Sequence, residues 1–240
     1  MIRTVPETGS TNADLAAQLR AGEALGEGSW LVADRQTAGR GRQGRTWFDG
    51  HGNFMGSTIV RPHERDPAPA SLALVTALAV YEAVVPLIAN PSELTLKWPN
   101  DLMLAGAKLS GILLEREGDA IIVGIGVNLA AAPDLPDRRT VALSAFGPAP
   151  ERDTFARSLA ASFDRELERW RSFGLEPLVR RWESVAHPQG TSLRVHPPGE
   201  EPILGEYAGL TEDGALRLRL AGGESRVIHA GDVMLANEEG

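Results

Sequence analysis

Gly39-Arg40-Gly41-Arg42-Gln43-Gly44-Arg45 decides the fold. The run contains the G-x-G-x-x-G spacing of a dinucleotide-binding turn. That turn needs a strand before it and a helix directly after it, so that a pyrophosphate rests on the helix N-terminus. A short apolar strand does precede the run, Trp30 to Ala33. Trp47-Phe48-Asp49-Gly50 and a second strand, Asn53 to Arg61, follow it. A Rossmann site is therefore disfavoured, and a P-loop is excluded because no Gly-Lys-Ser/Thr follows. What remains is a long loop over 36–52. Its glycines let backbone N–H groups converge on an anion. Arg40, Arg42 and Arg45 add delocalised charge suited to carboxylate or phosphate. Such a loop is mobile when empty and orders around a bound anion. A solvated basic loop or a single-strand RNA contact is the competing reading, weakened by the acidic net charge of −8 and 5% aromatic content.

Working outward, Ser10 and Thr11 cap a helix predicted over Thr11 to Ala24. Ala70 to Ala89 reads as a helix apolar nearly all round, hence buried. Leu94 to Trp98 is a strand stopped by Pro99. Asp101 to Leu104 and Ala107 to Glu115 flank Ala105-Gly106, a tight hairpin. Ala120 to Asn128 is an apolar strand, and Arg152 to Phe173 and Leu175 to Val185 are helices. After His187-Pro188 come five short alternating segments separated by Gly and Asp turns, which suggest a small barrel. The expected organisation is a domain over 1–186 and a smaller β domain over 187–240.

The chain has 240 residues, 42% apolar and 23% charged, enough for a sizeable core. The absence of cysteine removes disulfides and thiolate chemistry. No secretory leader is visible, and Glu82 and Pro86 interrupt the most apolar segment, so the reading is a soluble, cytoplasmic protein without a membrane span. Of the 24 basic residues 22 are arginine, and the two lysines are Lys97 and Lys108. Lysine is a compact point charge on a slim stem, whereas arginine is a wide planar fork. A narrow pocket that sets one ammonium against a small anion needs the former.

Both lysines fall in local constellations. In Lys97-Trp98-Pro99-Asn100-Asp101 the proline forces a turn that gathers Lys97, Asn100 and Asp101 at a sheet end, where open α/β folds place ligands; ordinary turn chemistry explains Asn and Asp equally well. In Lys108-Leu109-Ser110-Gly111-Ile112-Leu113 an ammonium enters an apolar strand and needs a counter-charge, while Gly111 marks close backbone approach or a bulge. A bound anion over Gly111 accounts for both, as does an edge-strand gatekeeper for Lys108 alone. Ser10-Thr11-Asn12 offers hydroxyls and an amide, or simply a helix cap. Asn128 puts a polar tip on a buried strand after Gly124 and Gly126. The five histidines show no ligand spacing, and no GxSxG elbow appears.

Together these residues resemble the biotin protein ligases. The family pattern is Ser-Thr-Asn at the first helix, Gln-x-x-Gly-Arg-Gly-Arg-x-Gly-Arg-x-Trp, Lys-Trp-Pro-Asn-Asp, Lys-x-x-Gly-Ile-Leu and Gly-x-Gly-x-Asn. The chain carries each in order across residues 8–130, and both lysines lie within the motifs. The resemblance implies a mixed β-sheet with helices, an α/β (α+β) catalytic domain like that of class II aminoacyl-tRNA synthetases, followed by a small SH3-like barrel. It implies an enzyme using biotin, ATP and nucleotide-bound Mg2+ to make biotinyl-5′-AMP. The biotinyl group then passes to a lysine of the biotin carboxyl carrier protein of acetyl-CoA carboxylase or a related carboxylase.

By the same resemblance Lys108 bridges the biotin carboxylate and the α-phosphate. Arg40 and Arg42, with Gly39 and Gly41, fold over the adenylate as a lid. Ser10, Thr11, Asn12 and Gln36 contact the ureido ring and valerate chain, and Trp47 and Asn128 line the adenine side. Asp101 orients or deprotonates the acceptor lysine; Lys97, Asn100, Gly111 and Ile112 complete the binding set. No dedicated metal ligands are expected. Nothing that could fold precedes Ser10, so no operator DNA binding is expected, and the protein is a monomer or homodimer. A lipoate protein ligase, or a non-catalytic vitamin- or RNA-binding module, are the alternatives.

Overall fold

The computed structural model describes residues 1–236; residues 237–240, the end of the expected second domain, lie outside the described residues. A seven-stranded sheet is built from β1 (Ile2–Val5), β2 (Trp30–Ala33), β3 (Phe54–Val60), β4 (Leu94–Lys97), β5 (Asp101–Leu104), β6 (Ala107–Glu117) and β7 (Ala120–Val127). Its order is β1-β2-β3-β7-β6-β5-β4. The β1–β2 pair is parallel and the other pairs are antiparallel, so the sheet is mixed as expected. The strand β1 is not foreseen from sequence.

Side-chain alternation divides the sheet. On β7, Ile121, Val123, Ile125 and Val127 join the main core, which also takes in α2 (Leu72–Val84), α3 (Arg152–Phe173) and α4 (Leu175–Ser184). The opposite face carries Ala120 and Ile122, which pack with Leu15 of α1 (Thr11–Arg20), Leu31 and Ile59. Further along that face the row continues as Gly124 and Gly126. Half of the face is therefore covered by α1 and half is bare backbone, and the bare half becomes the floor of the site.

Two helices are shorter than their apolar patterns suggest. The first ends at Arg20 because Gly22 takes φ +77°, a left-handed conformation that favours glycine and turns the chain. Pro86 tightens the end of α2 into a 3₁₀ turn, Val85–Leu87. Pro69–Leu87 is, among the described residues, the one helical segment long and apolar enough to cross a membrane. Ten of the thirteen α2 residues are buried inside the protein, which marks it as a core helix.

Strands β8 (Ser192–His196), β9 (Ile203–Leu210), β10 (Leu216–Arg219), β11 (Ser225–Ile228) and β12 (Asp232–Leu235) form a separate antiparallel sheet, ordered β11-β10-β9-β8-β12. Its inner residues Leu193, Val195, Tyr207, Leu216 and Leu218 are continuous with the main core. The Trp98 indole donates to the Gly214 carbonyl at 3.1 Å, tying the two sheets together at the edge of the site.

Candidate active site

The bare half-face lies under a cavity of about 850 Å³. Gly111 of β6 and Gly126 of β7 are cross-strand partners. A Cβ on Gly126 would lie 2.1 Å from Trp47 Cε2, and one on Gly111 3.0 Å from Trp47 Cζ3. The indole therefore rests on the sheet backbone itself. Gly111 is a site of close approach, as one reading of the sequence has it; the bulge lies nearby. Asp101 pairs with Gly111 and Leu102 with Ser110, but Met103 pairs with Lys108, which leaves Leu109 extra. This bulge turns Lys108, rather than Leu109, onto the face that carries Asp101. Leu109 is buried in the main core.

Lys108 Nζ lies 2.6 Å from Asp101 Oδ1, and Lys97 Nζ lies 3.5 Å from Asp101 Oδ2. Both lysines thus meet on one buried carboxylate. Burial alone would raise the Asp101 pKa; the charges and hydrogen bonds of Lys108 and Lys97 outweigh it and hold the pKa below the usual carboxylate value. From sequence the counter-charge of Lys108 is a bound anion, or Lys108 guards an edge strand; in the structure β6 lies inside the sheet and the counter-charge is Asp101. The two lysines against one carboxylate leave a positive excess for a second anion. The Lys108 backbone is clamped on its free side, its N–H donating to Arg139 O and its carbonyl accepting from Val141 N.

The glycine–arginine loop closes over this floor. Arg40 and Thr46 form an isolated bridge around a 3₁₀ turn, Arg42–Gly44. Arg42 donates to Asn100 Oδ1 and to the Gly231 carbonyl, both at 3.1 Å. Arg45 pairs with Asp232 at the start of β12. The loop, expected to be ordered by an anion, is thus already fastened by protein groups. Asn100 in turn donates to Ile112 O at 2.7 Å and accepts from Ile112 N through its carbonyl at 3.1 Å. Ile112 contributes backbone here, while its side chain belongs to the core on the other face. Arg40 borders the cavity and is exposed.

At the far end lie Ser10, Thr11, Asn12 and Gln36, all buried. Thr11 N–H donates to Gln36 Oε1 at 2.7 Å, and Thr11 Oγ1 lies 2.6 Å from Ser57 Oγ. Ser57 donates to Asn12 Oδ1, and Asn12 Nδ2 donates to Glu115, each at 2.6 Å. Asn12 fits because Gly124 is bare: a Cβ there would lie 2.4 Å from Asn12 Oδ1. Asn128 donates to Val141 O at 3.2 Å, and its Oδ1 is buried without a partner, an acceptor left for a ligand donor.

Of the sixteen residues singled out from sequence, Gly39 alone does not border the cavity; it packs against Gln36 Nε2 and the Trp47 backbone, behind the lid. Ser57, Glu115, Arg138 and Asp232 were not foreseen. Arg138 borders the cavity from the loop after β7, paired with Asp137. Among the described residues no cluster of three His, Asp or Glu side chains could hold a metal. Asp101 is occupied by two lysines and Asp232 by arginine. A magnesium ion carried on the phosphates of a nucleotide would fit this site, with water and substrate oxygens among its ligands.

A mixed sheet with a glycine floor, two lysines on one aspartate and an arginine-rich loop reaching the second sheet make a cavity suited to an anionic ligand, and the chain belongs to the biotin/lipoate A/B protein ligase family. Residues 7–129 match that family, and residues 194–235 match the biotin protein ligase C-terminal domain. The relatives lie on the biotin side. The biotin–[acetyl-CoA-carboxylase] ligase of Paracoccus denitrificans is 37% identical, with 94% of this chain and 97% of that protein aligned. The ligase of the same name from Mycobacterium tuberculosis is 36% identical over 96% of this chain and 87% of its own. The biotin protein ligase of Aquifex aeolicus in complex with biotin and ATP superposes with a TM-score of 0.85 at 29% identity, covering 98% of this chain and 97% of that one.

Proposed function

We propose that the protein is an ATP-dependent ligase that activates biotin as biotinyl-5′-AMP and transfers it to the acceptor lysine of a biotin carboxyl carrier protein of acetyl-CoA carboxylase. The observation that carries this reading is the Lys108–Asp101–Lys97 group above the Gly111–Gly126 floor. In the first half-reaction a biotin carboxylate oxygen attacks the α-phosphorus, the bond to the β-phosphate oxygen breaks and pyrophosphate leaves. Two anions approach each other in that step, and a pre-placed cation lowers its barrier. Lys108 exchanges part of its grip on Asp101 for the biotin carboxylate and α-phosphate. Nucleotide-bound magnesium supplies further charge neutralisation on the phosphates.

The mixed anhydride hydrolyses in water, so the Arg40–Arg45 loop serves as its cover. Trp47 and the unpaired Asn128 Oδ1 line the adenine side; Ser10, Thr11, Asn12 and Gln36 hold the ureido end. In the second half-reaction the carrier lysine's neutral amine attacks the anhydride carbonyl, the bond from that carbon to the phosphate oxygen breaks, AMP leaves, and the proton shed by the nitrogen passes to the departing phosphate or to water. Asp101, kept ionised by its two lysines, orients the incoming lysine or takes its proton, so that the nitrogen attacks as the neutral amine. The catalytic unit spans residues 1–186 and the barrel 187–240, the latter supplying Gly231 and Asp232 to the lid. A carrier protein is the macromolecular partner, and the cytoplasm is the site of action.

Exchange of radiolabelled pyrophosphate into ATP tests this. The protein should support exchange with biotin and not with lipoate. Lys108→Met should lower the rate by ~100- to 1000-fold, the scale of losing one transition-state donor. Exchange with lipoate alone, or a Lys108→Met rate near that of the parent protein, refutes it.

A further inference from the structure

Glu115 lies on β6 behind the ureido end of the cavity and does not border it. Its row of the sheet, Gly111, Leu113, Glu115, runs along the same face as the floor. The carboxylate reaches Asn12 Nδ2 at 2.6 Å. An ionised carboxylate only accepts hydrogen bonds. Asn12 must therefore turn its NH2 to Glu115 and its Oδ1 to Ser57, and Ser57 must spend its one hydroxyl proton on that Oδ1, 2.6 Å away. The 2.6 Å contact between Ser57 and Thr11 then has Thr11 as donor. Thr11 has one hydroxyl proton for two acceptors; the Ser57 oxygen at 2.6 Å takes it in preference to Gln36 Oε1 at 3.0 Å, which already accepts the Thr11 N–H. Thr11 Oγ1 is left with lone pairs for the cavity. Gln36 keeps its Nε2 donors, beside Gly39.

We propose that Glu115 is a specificity-determining positioning residue: through Asn12 and Ser57 it fixes Thr11 as a hydrogen-bond acceptor toward the ligand, with Gln36 as a donor. This order suits a cyclic urea, which presents N–H donors beside a carbonyl acceptor. A ring without N–H groups leaves Thr11 unpaired in a buried site, which is costly. The inference rests on the biotin reading above and adds to it a residue outside the ligand's reach. Gly124 is part of the device, because a side chain there would displace Asn12 from the line.

Calorimetric titration of the parent protein with biotin comes first; a failure to bind overturns the biotin reading and this inference together. Given binding, Glu115→Met should weaken biotin by ~10- to 100-fold, the range of a buried hydrogen bond left unmade. In pyrophosphate exchange the change should fall on the KM for biotin, with kcat and the KM for ATP unmoved. Glu115→Gln, which retains an acceptor oxygen for Asn12, should restore affinity to within about threefold of the parent. Ser57→Ala cuts the relay, so adding Glu115→Met to it should cost nothing more. Glu115→Ala replaces the methionine variant if that one does not fold. Parent-like biotin affinity in Glu115→Met, equal losses in Glu115→Gln, or additivity with Ser57→Ala overturns the inference and leaves the biotin reading standing.

Discussion

Gly126→Ala is the sharpest small perturbation of the site. The new methyl would sit 2.1, 2.4 and 2.5 Å from Trp47 Cε2, Cζ2 and Nε1. Carbon atoms pack at about 3.5 Å, so the indole has to lift by roughly 1.4 Å. Trp47 sits half-buried on a loop rather than in either core, so the ring yields and the fold absorbs little of the strain. Global stability should change by less than ~1 kcal/mol, as at other positions outside the core. The cost falls on the ligand-bound state, where the indole has to be in place: overpacking of ~1–3 kcal/mol corresponds to a ~5- to 150-fold rise in KM for ATP. Pyrophosphate exchange at saturating biotin measures it, with urea unfolding as the control. Trp47→Ala removes the clash, so the double variant should be no worse than Trp47→Ala alone. A parent-like ATP dependence in Gly126→Ala, or losses that add in the double variant, would refute the placement of the indole on the floor.

Arg42→Gly removes the bonds to Asn100 and Gly231; biotinyl-adenylate should leak, and mass spectrometry should find nearby lysines labelled on bystander proteins. Asp101→Asn leaves Lys97 and Lys108 without their shared carboxylate, so rapid-quench kinetics should show adenylate still forming while its transfer to a carrier slows by ~10-fold or more. His187 is pushed down to about 4 by burial, with the Lys97 charge adding to it. Its charged form is disfavoured by the fold, so its contribution is complete above pH 6.5 and is lost as pH falls from there toward 4. The loss is worth up to ~3 kcal/mol. Urea unfolding of the parent and His187→Gln at pH 8, 6 and 4.5 should show the slope flattened in the variant.

Much of the site was legible because its motifs are local. Lys97 to Asp101 is one turn, and Gly111 within a strand marks a close backbone approach without any partner being known. The lysines are visible against a background of arginine. What the sequence hid is created by register. Ser57 and Gly124 are neighbours only because β3 pairs with β7, and Gly124 stands beside Leu113 only because β7 pairs with β6. Glu115 reads alone as one polar residue in the alternating tail of β6. Asp232 meets Arg45 across the join of two sheets. The strand β1 is four residues at a sheet edge, two of them exposed, paired with a partner 28 positions away. A short run of that kind carries too little alternation to be recognised. The overlong first helix has a similar cause: Leu25 continues the apolar pattern but does so by folding back onto the α1 packing after the Gly22 turn.

Arg42 and Arg45 find their partners 189 and 187 residues later in the chain. At ribosomal speeds of ~5–20 residues per second, roughly ten to forty seconds separate the synthesis of the clasp from that of its catch. A nascent polypeptide therefore owns the lysines and the glycine floor well before it can shut the cover. The contacts that fasten the loop are complete only in chains translated through β12, so loss of that short strand strikes the mouth of a cavity whose walls were laid down near the other terminus.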